Sequence, residues 1–113
     1  MSKKDDSIYL GHMLDASRKI PGRVKGLGRD SFEQDEFLQL ALAHLVQIIG
    51  EAARQVSPEC RTVRPEVPWR EITGMRSKIV HDYMDVSPDV LWEVVTRDIP
   101  PLAASLEKLA PPA

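Results

Sequence analysis

Cysteine is almost missing. Cys60 is the one thiol in 113 residues, which excludes an intrachain disulfide and a cysteine-built zinc site. A reducing cytoplasm is the expected home. No apolar run follows the charges of Met1-Ser2-Lys3-Lys4-Asp5-Asp6, so this start is not expected to act as a secretion signal. The most apolar stretch, Leu38 to Gly50, is interrupted by Gln39, His44 and Gln47. It falls far short of the roughly 20 residues that cross a bilayer, and no membrane association is expected. No segment alternates apolar and polar residues for long enough to predict a sheet. No internal repeat occurs, and no cluster of histidines and carboxylates has metal-ligand spacing. What is present is ordinary for a globular chain: 42% hydrophobic and 28% charged residues. A chain of this length buries roughly 65% of its unfolded surface, which predicts a single domain over 1–113 with an ordered core from about residue 7 to 109 and a short charged N-terminal tail.

The net charge of −2 conceals a segregation. Five basic residues and no acid lie between Ala16 and Arg29, and six basic residues face three acids between Arg54 and Lys78. The remainder holds four basic residues against fourteen acidic ones. That asymmetry permits a local phosphate-binding patch; solvated helix faces and a basic helix C-terminus are the simpler account of it.

Helical periodicity covers the chain. Tyr9, Met13, Ala16, Ile20, Val24 and Leu27 repeat every three or four residues, predicting a helix over 7–27 that is firm to about Ile20 and looser after Pro21-Gly22. The longest and most apolar helix is predicted over 33–56. Phe37, Leu40, Ala41, Leu45, Ile48, Ile49, Ala52 and Val56 make its buried face, and His44, Gln47, Glu51 and Arg54 make a narrow polar stripe. Gly50 inside it suggests the close approach of another helix. Residues 57–68, with Pro58, Pro65 and Pro68, read as an irregular connection. A third helix is predicted over 69–84. Ser87-Pro88 fits an N-cap and first helical position. Leu91, Val95, Ile99, Leu102, Leu106 and Leu109 then line a last helix, which Pro100-Pro101 must kink or restart, with Asp98 available as a cap. The fold class is all-α, an up-and-down bundle of about four to five helices.

Reactive side chains concentrate in Trp69 to Tyr83, where Arg76, His81 and Tyr83 stand beside Ser77 and Asp82. On a regular helix, positions five apart differ by about 140° around the axis. Arg76 and His81 therefore converge only if the helix loosens near His81 or a second subunit supplies the partner. Such a pair suits metal-free RNA cleavage: histidine moves protons near neutral pH, and a guanidinium stabilises the extra charge of a pentavalent phosphate. A two-fold dimer would bring two copies to one phosphate. His12 and His44 are weaker candidates. Read without further context, the same residues fit an ion pair and a hydrogen-bonded surface histidine, with Glu51 pairing with Arg76 across packed helices. Trp69 and Trp92 read as core or interface anchors.

Arg76, four intervening residues, His81, one residue and Tyr83 resemble the arginine–histidine–tyrosine signature of HepT-like toxins in the HEPN superfamily. Four phrases carry the same resemblance in order: Ile48-Ile49-Gly50-Glu51-Ala52, Pro68-Trp69-Arg70-Glu71-Ile72, Gly74-Met75-Arg76 and Val80-His81-Asp82-Tyr83. The proline after Asp98-Ile99 also fits, so the likeness runs from about Tyr9 to Leu109. It implies an all-helical homodimer with the motifs facing each other across the two-fold axis. It further implies a metal-independent endoribonuclease that is the toxin of a type VII-like toxin–antitoxin pair and needs no cofactor. In that reading Arg76 stabilises phosphate charge and His81 transfers protons, with Glu51, Ser77 and Asp82 as a supporting polar cleft. The implied antitoxin is an MntA-like nucleotidyltransferase that uses ATP to adenylylate Tyr83, setting bulk and negative charge in the RNA cleft. The alternative within the resemblance is a non-catalytic module that binds a nucleotide or docks the nucleotidyltransferase. Two features depart from the pattern: relatives commonly carry arginine and glutamate where this chain has His44 and Gln47, and Pro21-Gly22 breaks the first helix.

Overall fold

The computed structural model describes residues 3–82 and 85–109. Among them, four helical rods are joined by short helices: α1 (Lys3–Lys19), α4 (Glu36–Gln55), α6 (Trp69–Ile79) and a last rod of α7 (Pro88–Glu93), a π turn (Val94–Asp98) and α8 (Ile99–Leu109). The connecting helices are α2 (Pro21–Val24), α3 (Arg29–Glu33) and α5 (Pro58–Val63). The architecture is all-α, with α4 packed against both α1 and α6, and α8 against α1.

Prolines set several boundaries. α1 stops one residue before Pro21, which opens α2, and Gly26 then adopts a φ of 77° to turn the chain. The two Ser-Pro pairs act alike. Ser87 accepts a hydrogen bond from the Val90 amide, and Ser57 accepts one from Cys60, each with proline in the first helical turn. The 57–68 connection therefore contains a helix, because Pro58 begins an element where it was expected only to break one. The helix expected from residue 33 is split: α3 ends at Glu33, and Asp35 caps α4 by accepting from the Leu38 amide. The last rod passes Pro100-Pro101 through the π turn. Proline lacks an N–H, and its ring collides with the carbonyl four residues back; the wider turn spreads those carbonyls. Asp98 ends that turn, and its carboxylate stands 3.9 Å from Lys78 Nζ.

The core is made of Met13, Ile20, Phe32, Leu42, Val46, Ile49, Ile72, Ile79, Leu91, Ile99 and Leu106, all essentially without solvent contact. Phe32 packs on the half-buried Trp92 at 4.9 Å between ring centres. The later part of the expected face of α4 is inside, with Ile49, Ala52 and Val56 buried and Leu45 and Ile48 partly covered, but its first turns face a different way. Phe37 is 87% exposed, Leu40 is 49% exposed and Ala41 is also outside, while Leu42, Ala43, Val46 and Ala53 are buried in their place. The first helix behaves as expected, with Met13, Ala16, Ile20 and Val24 buried and Tyr9 and Leu27 partly covered.

Polar contacts fasten the ends. The buried Asp6 carboxylate accepts from the Ser57 amide at 2.8 Å and from its hydroxyl at 2.7 Å, tying α1 to the start of α5. Arg18 donates twice to Glu107 at 2.5 and 2.6 Å, joining α1 to α8. Lys19 pairs with Asp15, and Arg29 with Glu33 and Asp89. Of the basic run between Ala16 and Arg29, only Arg23 and Lys25 are left without a partner among the described residues. That run behaves mainly as paired helix surface.

Candidate active site

α6 forms because Trp69, Ile72, Met75 and Ile79 fall on one face, all buried against α4 and the last rod. Its first turn is anchored by Trp69, whose indole N–H donates to the Arg64 carbonyl at 2.9 Å. Arg61 stacks over that ring at 6.0 Å and donates to the Ala53 carbonyl at the end of α4. The crossing of α4 and α6 is tight. A Cβ at Gly50 would stand 3.2 Å from the Ile72 carbonyl oxygen, which is the close approach that the glycine suggested.

Beside this crossing lies the polar stripe of α4. Arg54 donates to the Thr73 carbonyl at 3.2 Å and ion-pairs with Glu51 at 3.7 Å. Arg76 occupies the helical position one turn beyond Thr73, on the same edge of α6. The helix then ends at Ile79, well short of residue 84. Val80–Asp82 (β1) pairs antiparallel with Asp85–Val86 (β2) through an irregular register, Val80 opposite Val86 and Asp82 opposite Asp85. The Ser87 amide closes the hairpin onto the Ile79 carbonyl at 2.7 Å. This ladder corrects the expectation of no strand pairing: seven residues are too few for any alternating pattern to declare itself. His81 thus belongs to β1, and the 140° separation of a continuous helix does not apply between Arg76 and His81.

Tyr83 lies outside the described residues, as do the side chains of Arg76, His81 and Asp82. Ser77 and Glu51 are exposed, Glu51 on α4 and Ser77 on α6. Sequence reasoning singled out the stripe but missed two features. The Arg54–Thr73 bond depends on which helix packs beside the stripe. Tyr9 has core spacing yet lines, with His12, a groove against His44, Gln47, Ile48 and Glu51. Among the described residues no group of three or more His, Cys, Asp or Glu could hold a metal ion, and no helix is long and apolar enough to cross a membrane.

Five groups elsewhere, Asp6, Arg18, Arg29, Cys60 and Glu107, have displaced titrations. The Ser57 hydroxyl and amide hold the Asp6 carboxyl below its ordinary value of 3.8, against the opposing effect of burial. Burial and then the Asp6 charge push the Cys60 thiol up, away from reactivity. Arg18 lowers Glu107 through their paired hydrogen bonds.

Sequence comparison adds to this geometry. The family model described as Ribonuclease HepT-like matches residues 13–109. A protein of Caldanaerobacter subterraneus subsp. tengcongensis, named "Putative RNase", is 36% identical over 101 residues, covering 89% of this chain and 90% of its own. One from Thermococcus cleftensis, named "Probable ribonuclease HepT", is 35% identical over 107 residues, covering 95% and 97%. A third, from Methanocaldococcus jannaschii, is named "Gamma-glutamylcyclotransferase and putative RNase"; it is 36% identical over 107 residues, which are 95% of this chain but 48% of that protein. No solved structure matches the chain. With nearly the whole helical bundle matched, the chain belongs to the ribonuclease HepT-like family.

Proposed function

We propose that this protein is a metal-independent endoribonuclease, the toxin of a toxin–antitoxin pair, with Arg76 and His81 as its reacting residues. The observation that carries the reading is the break between them. α6 ends at Ile79, so Arg76 sits on the last helical turn and His81 on the strand that follows, freed from helical spacing. Family membership supplies the substrate class, RNA.

In the proposed reaction the 2′-hydroxyl loses a proton and its oxygen attacks the adjacent phosphorus. A P–O2′ bond forms as the P–O5′ bond breaks, and the departing 5′-oxygen takes up a proton. His81 serves one of the two proton transfers, and His81 of a second copy is suited to the other. Arg76 stabilises the pentavalent phosphate with paired donors. Glu51, Ser77 and Asp82 border the cleft. Glu51 is already engaged with Arg54, so its contribution is to hold that arginine at the α4–α6 crossing. The exposed apolar residues Phe37, Leu40 and Ala41 support a homodimer, since an outward apolar patch on one helix suits an isologous contact.

The partner in this reading is a nucleotidyltransferase antitoxin. The Tyr83 hydroxyl attacks the α-phosphorus of ATP, pyrophosphate leaves, and the AMP added to the tyrosine blocks RNA by charge and bulk. The protein itself needs no cofactor, and the cytoplasm is the proposed compartment. The test is cleavage of RNA in EDTA by protein whose intact mass shows no AMP, wild type beside His81→Ala. Cleavage by wild type alone is expected. Equal cleavage by His81→Ala removes the assignment. Absence of cleavage, together with an ATP-dependent mass gain on Tyr83, transfers the function to a non-catalytic partner of the nucleotidyltransferase.

A further inference from the structure

A groove of about 290 Å³ runs between α1 and α4. It is smaller than most small-molecule pockets, which begin near 300 Å³, and suits one flat ring system rather than a folded partner. α1 contributes Tyr9 and His12, whose rings meet edge to face at 6.1 Å and 84°. α4 contributes Ile48 as an apolar surface and the side-chain amides of Gln47 and Gln55. Neither amide has a hydrogen bond or ion pair among the described residues.

The charge in the groove decides what it takes. Glu51 is the one carboxylate in the lining, and it is matched by Arg54. Apart from the imidazoles of His12 and His44, no basic side chain lines it. A glutamine amide offers a donor and an acceptor side by side, the combination presented by base edges, and aromatic rings provide stacking partners for unpaired bases. The groove also leads toward the proposed reacting residues. Its α4 wall continues through Arg54 to the Thr73 carbonyl, one turn before Arg76. Two other grooves among the described residues have no side-chain amide in their lining. The α6–α8 groove is rimmed by the Lys78–Asp98 and Arg97–Glu93 pairs, and in the α1–α5 groove Asp6 and Ser57 satisfy each other.

We propose that the α1–α4 groove is a base-recognition subsite for single-stranded RNA, reading a nucleotide adjacent to the cleaved bond through Gln47 and Gln55. This inference rests on the ribonuclease reading and deepens it by assigning where sequence preference originates. The histidine and glutamine at positions 44 and 47 are then part of this protein's substrate choice.

Binding separates the two. Full-length wild type and the double variant Gln47→Ala/Gln55→Ala are titrated with uncleavable 2′-O-methyl hexamers of A, C and U and an alternating GU hexamer. Wild type is expected to bind one of them about tenfold more tightly than the weakest, and the double variant is expected to bind all alike. Equal affinities in wild type, or a preference that survives in the double variant, would overturn the proposal. So would a double variant whose change is confined to its oligomeric state by sedimentation, which would assign the groove to a second copy. Cleavage of unmodified RNA by wild type is measured in parallel. Base preference without cleavage sinks the ribonuclease reading and keeps the subsite; cleavage without base preference does the reverse.

Discussion

The outward face of α4 changes character halfway along. Its first turns present Phe37, Leu40 and Ala41 to solvent, and its later turns present His44, Gln47, Glu51 and Arg54. Helical geometry is the same in both halves; the neighbours differ. The polar half is flanked by α1 on one side and α6 on the other, so its side chains border a groove and a helix crossing. In the apolar half the phenyl ring of Phe37 is left 87% exposed, which in the proposed homodimer makes it a contact surface. On the proposed reading one helix separates association from substrate handling, and each half can be altered while the other is watched.

The largest effect belongs to the edge of α6 that the polar half adjoins. Arg76→Ala is expected to lower RNA cleavage by about a hundredfold or more with no change in sedimentation; dissociation instead would erase the division between the halves. Next, Phe37→Glu with Leu40→Glu should weaken self-association by about a hundredfold or more, because an isologous contact loses each anchor twice. Analytical ultracentrifugation reads this directly, and a double variant that stays dimeric would move the interface elsewhere.

Stability effects follow. Asp6→Ala strips two hydrogen bonds from the buried Ser57 and releases the wall that carries Tyr9 and His12. It should cost about 1–3 kcal/mol at neutral pH. The pH dependence has a definite sign. The folded Asp6 carboxyl is held below 3.8, so its contribution is complete above roughly pH 4 and fades as pH falls through the lowered value. The gap between wild type and Asp6→Ala in thermal melts should therefore close in acid; a gap that widened there would contradict the assignment. Gly50→Ala sets an added methyl 3.2 Å from a carbonyl fixed in α6. Overpacking of about 1–3 kcal/mol should outweigh the roughly 1 kcal/mol gain in helix propensity, visible as a lower melting temperature. The smallest effect is Phe37→Ser measured at dilutions where the chain is monomeric, expected within about 0.5 kcal/mol of wild type.

Much of the bundle was legible because local chemistry agrees with it. Ser87-Pro88 starts α7, Pro21 ends α1, Gly50 marks the tightest crossing, and the leucine row of the last rod is buried through Leu106. The inward side of the first turns of α4 was not legible, whereas Ile49, Ala52 and Val56 are buried as expected. Phe37 and Leu40 are as apolar as Leu42 and Val46, and hydrophobicity does not say whether a residue meets its own core or another molecule. The helix after Ser57 was hidden by three prolines that also suit a loop. Within the proposed site, Arg76 and His81 stand out by residue type alone, while the end of α6 at Ile79 and the Arg54–Thr73 bond depend on contacts between distant segments.

The π turn at Val94–Asp98 makes the last rod tolerant of length changes in one place only. A turn that closes over five residues holds one more than regular winding needs. A deletion there would tighten the pitch and leave Leu102 and Leu106 facing the core, at the expense of renewed collisions at Pro100 and Pro101. The same deletion one turn further on would swing every later side chain by about 100°, turning Leu106 outward and carrying Glu107 away from Arg18.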